Sequence, residues 1–448
     1  MNKIKQLLSQ MRSNLWFLPS LMVAGSAVLA VALIEADSSV IDIWLSRWPR
    51  LFGAGAEGAR GMLSTIAGSM MSVVGITFSM TLVALALASS QYSSRVLRNF
   101  MGSRVTQGVL GIFAGIFTYC LIVLRTIRSG NEGEFVPNLA VFFGFVLALG
   151  GVGVLIFFIH HIASSIQASS ILAAVAQETL ETVDRIFPEK LGAGPGEIDE
   201  EPVLRSMAER NWRVVPAAET GYIQSVDNAG LLRVARDRKT IVRMERGIGE
   251  FVVQNTALAS LALEDPPDPG TIAALQATFS ISRYRTMEQD AAFGIRQIVD
   301  VALKALSPGI NDTTTAVMCV DYLSAILARL APRQVPSSRR YEEGELRVMA
   351  IGPTFANLLA EAFDQIRGSA KGNLAVISRM LDALQTVAGL TASAPRRRAL
   401  REQVEWIAEL AGRTVESAHD RARIDTQLAR VREAIEAEPA LFVEEGKE

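Results

Sequence analysis

Between Arg60 and Arg95 the chain runs for 34 residues without a charged side chain. A hydrocarbon core of ~30 Å is crossed by ~20 helical residues, so this run reads as a membrane helix with length to spare. Small residues recur along it at spacings of four and three: Gly61, Thr65, Gly68, Ser72, Gly75 and Ser79, with Ser69 alongside. At ~100° per residue they cover roughly 120° of the helix surface. A membrane helix with such a stripe either packs closely on another helix or faces water.

Three further charge-free windows lie between Arg12 and Glu35, Arg104 and Arg125, and Glu134 and Glu178. Those between Arg12 and Glu35 and between Arg104 and Arg125, with 22 and 20 residues, fit single spans, whereas the last, fourth in chain order and with 43, reads as a helix that leaves the bilayer. The N-terminal window also resembles a secretory signal, but its apolar stretch is longer than a typical signal core, and a retained helix is expected. Of the 44 Lys and Arg and 46 Asp and Glu, 17 lie in residues 1–161 and 73 beyond them. The expected fold is therefore membrane α-helical, with four transmembrane helices, followed by a soluble α+β domain holding a small β module and a helical bundle.

The expected boundaries are a four-helix transmembrane domain over 1–161 (spans about 13–34, 61–90, 105–124 and 138–160) and a helix leaving the membrane over 162–187. A Pro/Gly/acid-rich linker over 188–202 follows, then a β module over 203–263, a helical cytoplasmic domain over 271–436 and a tail over 437–448. Helical periodicity is read over about 271–306, 312–330, 353–367, 371–389 and 397–436, and Leu346–Ile351 as an isolated strand. Strand-like runs lie around Trp212–Val215, Gly221–Val226, Thr240–Met244, Phe251–Val253 and, least convincingly, Leu258–Leu263. Ile424, Leu428, Val431 and Ile435 form a 4-3-4 apolar pattern expected to bury one face against a helix of the same chain.

Four spans put both termini on one side. Arginine and lysine number six on that side against five opposite, which places the termini in the cytoplasm of a bacterial inner membrane. Cys120 and Cys319 fall in different parts of the chain, so no disulfide is expected. A net charge of −2 leaves no nucleic-acid footprint.

Glycines at seven-residue spacing, Gly61, Gly68 and Gly75, Gly108 and Gly115, and Gly144 and Gly151, together with Gly111, predict close helix packing. A second reading stands beside it. Thr65, Ser69, Ser72 and Ser79 supply hydroxyls, and the same face turns aliphatic at Leu82, Val83 and Leu87, as in a pore lining with a dewetting gate. One copy cannot close a ring, so this reading requires a homo-oligomer. No Asp, Glu, Lys or Arg lies within a span, which argues against a proton- or sodium-coupled carrier but not against a passive pore. His160 and His161, adjacent on a helix, are poorly placed to ligate one ion.

Enzyme motifs are missing: there is no P-loop, His-Glu-x-x-His, Cys-x-x-Cys or Gly-x-Ser-x-Gly. No catalytic activity, cofactor or metal is expected. In the soluble part, Arg296, Asp300 and Lys304 form an i, i+4, i+8 ladder on one helix, and Asn311 or Asp312 is placed to cap the next. An alternative gathers Asn311, Asp312, Thr314 and Thr315, with Asp290 or Asp321, around a hard cation.

The run QDAAFGIRQIVDVALKALSPGINDTTTAVMCVD, which holds Asp290, Arg296, Asp300, Asn311, Asp312, Thr315 and Asp321, resembles the signature of an uncharacterised bacterial membrane-protein family, domain of unknown function 2254. Residues 62–101, 158–176 (FIHHIASSIQASSILAAVA) and 353–367 (PTFANLLAEAFDQIR) resemble it too. Thr313 stands where that family usually has proline. The resemblance implies four membrane helices and a cytoplasmic domain, and no established activity. Residues 220–227 and 247–261 also look like the halves of a barrel-sandwich module, although Lys239, the lysine between them, lacks the context of a lipoylated one. The chain thus reads as a homo-oligomeric passive channel with a cytoplasmic assembly or regulatory domain. The alternative is a membrane-anchored scaffold or sensor binding an unknown cytoplasmic partner.

Overall fold

The computed structural model describes residues 16–40, 55–91, 104–128, 135–165, 167–187, 210–335, 337–342 and 344–437. The chain divides into two compact units, Met1–Ser170 and Ile171–Glu448.

The first unit holds α1 (Phe17–Val40), α2 (Ala56–Gln91), α3 (Arg104–Thr126) and α4 (Asn138–Ser165). Helix α3 packs against all three others, and Gly111 and Gly115 let it approach α1. A methyl group at Gly111 would meet Met22 Sδ at 2.6 Å and Pro19 Cα at 3.1 Å, and one at Gly115 would strike Ser26. Gly144 and Gly151 bring α4 close in the same way, 3.0 Å from Leu63 and 3.2 Å from Ile116. Tyr119, fully buried, donates to the Ala140 carbonyl at 2.7 Å. Arg60 donates to the Ile127 carbonyl at 2.7 Å, and Arg128 and Phe135 pair as a bridge where α3 turns back toward α4. The expected continuous helix out of the fourth window is broken: α4 ends at Ser165 and α5 begins at Ala168. Clustered serines favour such breaks because their hydroxyls compete for backbone groups.

Nearly all of α5 (Ala168–Ile186) belongs to the second unit. Strands β1 (Trp212–Pro216), β2 (Gly221–Val226), β3 (Val242–Met244), β4 (Phe251–Val252) and β5 (Ala257–Ala262) follow, with helix α6 (Asn228–Asp237) between β2 and β3. Next come α7 (Pro269–Gln276), β6 (Phe279–Ser282), α8 (Ala291–Ala305), α9 (Thr313–Leu330), β7 (Arg339–Glu342) and β8 (Glu345–Met349). Helices α10 (Phe355–Ser369), α11 (Leu374–Ala388), α12 (Ala394–Thr414) and α13 (Ala418–Glu436) close the unit. A five-stranded sheet runs β1-β5-β3-β8-β7 and a three-stranded one β4-β2-β6. Val215, Ile223, Val242, Val252, Leu258 and Phe279 share one core between the two sheets and α6.

Several expectations are corrected. The stretch 271–306 is not all helix, because Phe279–Ser282 pairs antiparallel with β2. The strand at 345–349 is not isolated; it pairs with β7 and, in parallel, with β3. Leu258–Leu263, the weakest strand by composition, is central in its sheet, since pairing on both sides outweighs the low β-propensity of alanine. Lys239 lies in the turn after α6, at a backbone φ of 47°. The segment 397–436 is two helices, and Ser417 starts the second by accepting from Asp420 N. Ile424, Leu428, Val431 and Ile435 are buried where α13 packs on α11 and α12.

Among the described residues, five helices are long and apolar enough to cross a membrane: Phe17–Ala36, Ala56–Leu87, Arg104–Thr126, Asn138–Ser164 and Thr313–Leu330. The fifth escapes a count of charge-free windows because Asp321 and Arg329 lie inside it.

Candidate functional site

Helix α2 has two unlike faces. Ala59, Leu63, Ala67, Met70, Thr77 and Ala84 are buried. At ~100° per residue, Gly61, Thr65, Gly68, Ser69, Ser72, Gly75 and Ser79 fall on the opposite side, and all are exposed. A methyl group at Gly61, Gly68 or Gly75 would meet nothing within 4 Å. Close packing is expected for these three and for Gly108, which likewise has nothing within 4 Å, and among the described residues of one chain they do not provide it. The physical reason is that α2 uses its alanine and leucine face against α3. Leu82, Val83 and Leu87 continue the uncovered side at 50%, 57% and 42% exposure. Thr65 donates to the Gly61 carbonyl at 2.8 Å and Ser72 to that of Gly68 at 3.1 Å, so part of the hydroxyl demand is met by the helix itself.

The signature residues of the second unit serve helix ends and helix seams. Asp290 is buried at 5% exposure and caps α8, accepting from Phe293 N at 3.0 Å and from Arg285 at 2.7 and 3.0 Å. Burial pushes its carboxyl above the usual range, while the Arg285 guanidinium pulls the other way. Arg296 pairs with Asp300 at 2.9 Å and reaches Glu361 on α10 at 3.4 Å, so part of the ladder is an interhelical clamp. Asn311 takes a left-handed backbone, φ 50°, which asparagine tolerates. Asp312 then caps α9 with both oxygens: Thr315 N donates at 3.0 Å and the Thr315 hydroxyl at 2.6 Å. The cation alternative thereby loses its central carboxylate, and Asp321 is engaged elsewhere, by Arg379 of α11. Among the described residues no group of three His, Cys, Asp or Glu is placed to hold a metal. Asn373 caps α11 and ties it to this turn by donating to Thr313 Oγ1 at 2.8 Å.

These bonds hold the Asp312 carboxyl below its ordinary value, chiefly through the Thr315 hydroxyl and amide. A carboxylate with a lowered folded pKa contributes stability that is complete above its unfolded value, ~3.9, and lost as pH falls through the folded value. Wild-type protein is expected to lose thermal stability steadily below about pH 4, and Asp312→Ala to show a shallower acid limb from a lower starting point. Melting curves between pH 6 and 3 check this; parallel acid limbs would remove Asp312 from the account.

Two close approaches had no sequence signal beyond a glycine inside a helix or loop. Gly294 of α8 lies against Thr179 of α5, whose hydroxyl donates to the Val175 carbonyl at 2.6 Å. Gly249, at φ 83°, leaves room for Asp290 and Arg285. Arg333, 4% exposed, pairs with Asp184 of α5 at 2.6 Å and donates to the Phe187 carbonyl.

The family model described as Predicted membrane protein (DUF2254) matches residues 12–386. Uncharacterized proteins of Mycobacterium bovis and of Mycobacterium tuberculosis strains H37Rv and CDC 1551 are each 32% identical, over 97% of this chain and 83% of theirs. No solved structure matches.

Proposed function

The chain belongs to the family of predicted membrane proteins termed domain of unknown function 2254, and from that premise we propose that its copies assemble around the uncovered face of α2 into a passive pore. Ions or small solutes are the expected cargo, and the protein is not an enzyme. The observation that carries this reading is the opposition of faces on α2. The buried side is apolar apart from Thr77, while glycine and hydroxyl residues are exposed and none of the described residues covers them. Lipid gives little reason to keep Thr65, Ser69, Ser72 and Ser79 on one outward stripe, whereas a second copy or a water column does.

Helices α1 to α4 are the proposed spans, in a bacterial inner membrane with both termini cytoplasmic. Helix α9 stays with the second unit, because Asp321 within it pairs with Arg379 and its apolar side is buried among α8 and α11. That unit assembles or regulates the pore.

Cysteine cross-linking tests the assembly. Both native cysteines, Cys120 and Cys319, are buried, so an added thiol reports alone. In oxidised membranes Ser72→Cys is expected to give disulfide-linked dimers, and the inward-facing Met70→Cys none. A monomeric Ser72→Cys would remove the axis.

The second reading is a scaffold or sensor without conduction, its soluble unit binding a cytoplasmic protein. The return of the Thr65 and Ser72 hydroxyls to their own helix favours it, since a face so satisfied can serve helix contact alone.

A further inference from the structure

In the second unit a cavity of about 550 Å³ opens among the end of α9, the start of α10 and the start of α12. That is the size range of small-molecule sites. Its lining includes Arg333, Thr354, Phe355, Leu390, Ser393 and Arg396, and no acidic residue lines it.

The two arginines differ in how their charge is matched. Arg333 has the Asp184 carboxylate. Arg396 donates to the carbonyls of Leu330, Ala331 and Arg333 and stacks over the Phe355 ring at 5.4 Å. Among the described residues it forms an ion pair with no carboxylate, and burial pushes its pKa down. Carbonyl dipoles at a helix end offset part of such a charge and leave a positive field in the cavity.

Neutral donors around the cavity point the same way. Ser393 stands at the N-cap of α12 without a side-chain capping bond, and Pro395 follows in the first turn. The first turn of α10, from Thr354, borders the same space. Thr354 spends its hydroxyl on Asn357, but the Ser393 hydroxyl and first-turn amides beside a guanidinium suit a tetrahedral oxyanion better than a planar neutral group, while Phe355 and Leu390 offer an apolar wall to whatever bears it.

We propose that this cavity between α9, α10 and α12 binds a phosphate-bearing ligand, with Arg396 and Ser393 as its contacts. The site is independent of conduction, and binding to it is read without any flux.

Calorimetric titration of the full-length protein in detergent with inorganic phosphate is expected to give saturable binding. Arg396→Gln weakens it at least tenfold. Arg396 also holds helix ends, so Ala356→Asp supplies a second variant: it sets a carboxylate at the cavity rim in the first turn of α10, where an acidic side chain suits the helix. It too is expected to cost at least tenfold. Arg413→Gln, whose side chain pairs with Glu409 at 3.4 Å and does not line the cavity, leaves affinity unchanged. Short-chain phosphatidic acid distinguishes the source: displacement of phosphate at lower concentration than glycerol phosphate assigns a lipid headgroup, and equal displacement a soluble phosphate ester. No saturable binding in wild type, or wild-type affinity in a folded Ala356→Asp, overturns the site.

Discussion

Liposomes carrying Leu82→Ser/Val83→Ser are expected to release entrapped potassium chloride at least ~tenfold faster than liposomes carrying the wild type. A tenfold change corresponds to ~1.4 kcal/mol of barrier, less than the ~1.5–3 kcal/mol gained by keeping one such side chain from water. Leu82 and Val83 are half exposed on the same side as the hydroxyl stripe. In an assembly around that side they form the aliphatic constriction, which dewets when closed and hydrates when hydroxyls replace it. Absent flux in both wild type and variant, with Ser72→Cys still cross-linking, leaves an oligomeric scaffold. Absent flux without cross-links removes the oligomer as well.

The other large effect concerns the second unit. Gly294→Ala is expected to lower its melting temperature by several degrees, although alanine in a helix interior ordinarily gains ~0.5–1 kcal/mol over glycine. The added methyl would collide with the Thr179 hydroxyl and lie 2.8 Å from its Cγ2 and 2.9 Å from its Cβ. Thr179 cannot readily rotate away, because its hydroxyl is bonded to Val175 and β-branched side chains have few rotamers in a helix. Overpacking of ~1–3 kcal/mol therefore exceeds the propensity gain. Thr179→Ala in the Gly294→Ala background recovers part of the loss, a coupling that independent sites would not show. A Gly294→Ala protein that melts with the wild type would mean the seam between α5 and α8 has room to open.

Much of the fold was legible because periodicity and charge report local geometry. Charge-free windows located α1 to α4, and short runs rich in aliphatic and aromatic residues between Gly and Asn found β1 to β5. Strand β6 was missed because Phe279–Ser282 is short and lies between two helical patterns, so only its pairing with β2 identifies it. That Asn311 or Asp312 caps α9 followed from their position before a helical pattern, and the structure selects Asp312; the role of Asp290 needed the partner Arg285 and the glycine at 249 beside it. Nothing in local sequence announces Asp184–Arg333, whose members are far apart in the chain.

From the residues alone came the membrane helices, the small-residue stripe on α2, the division into an apolar and a charged half, and the family, because each depends on composition and short-range spacing. Which glycines touch a neighbour was decided only by tertiary structure. Gly111, Gly115, Gly144 and Gly151 do, while Gly61, Gly68 and Gly75, spaced by seven like Gly144 and Gly151, meet none of the described residues. The spacing sets which face a residue occupies; the rotation of the whole helix, set by the better packing of Leu63 and Met70 on their neighbours, determines where that face points.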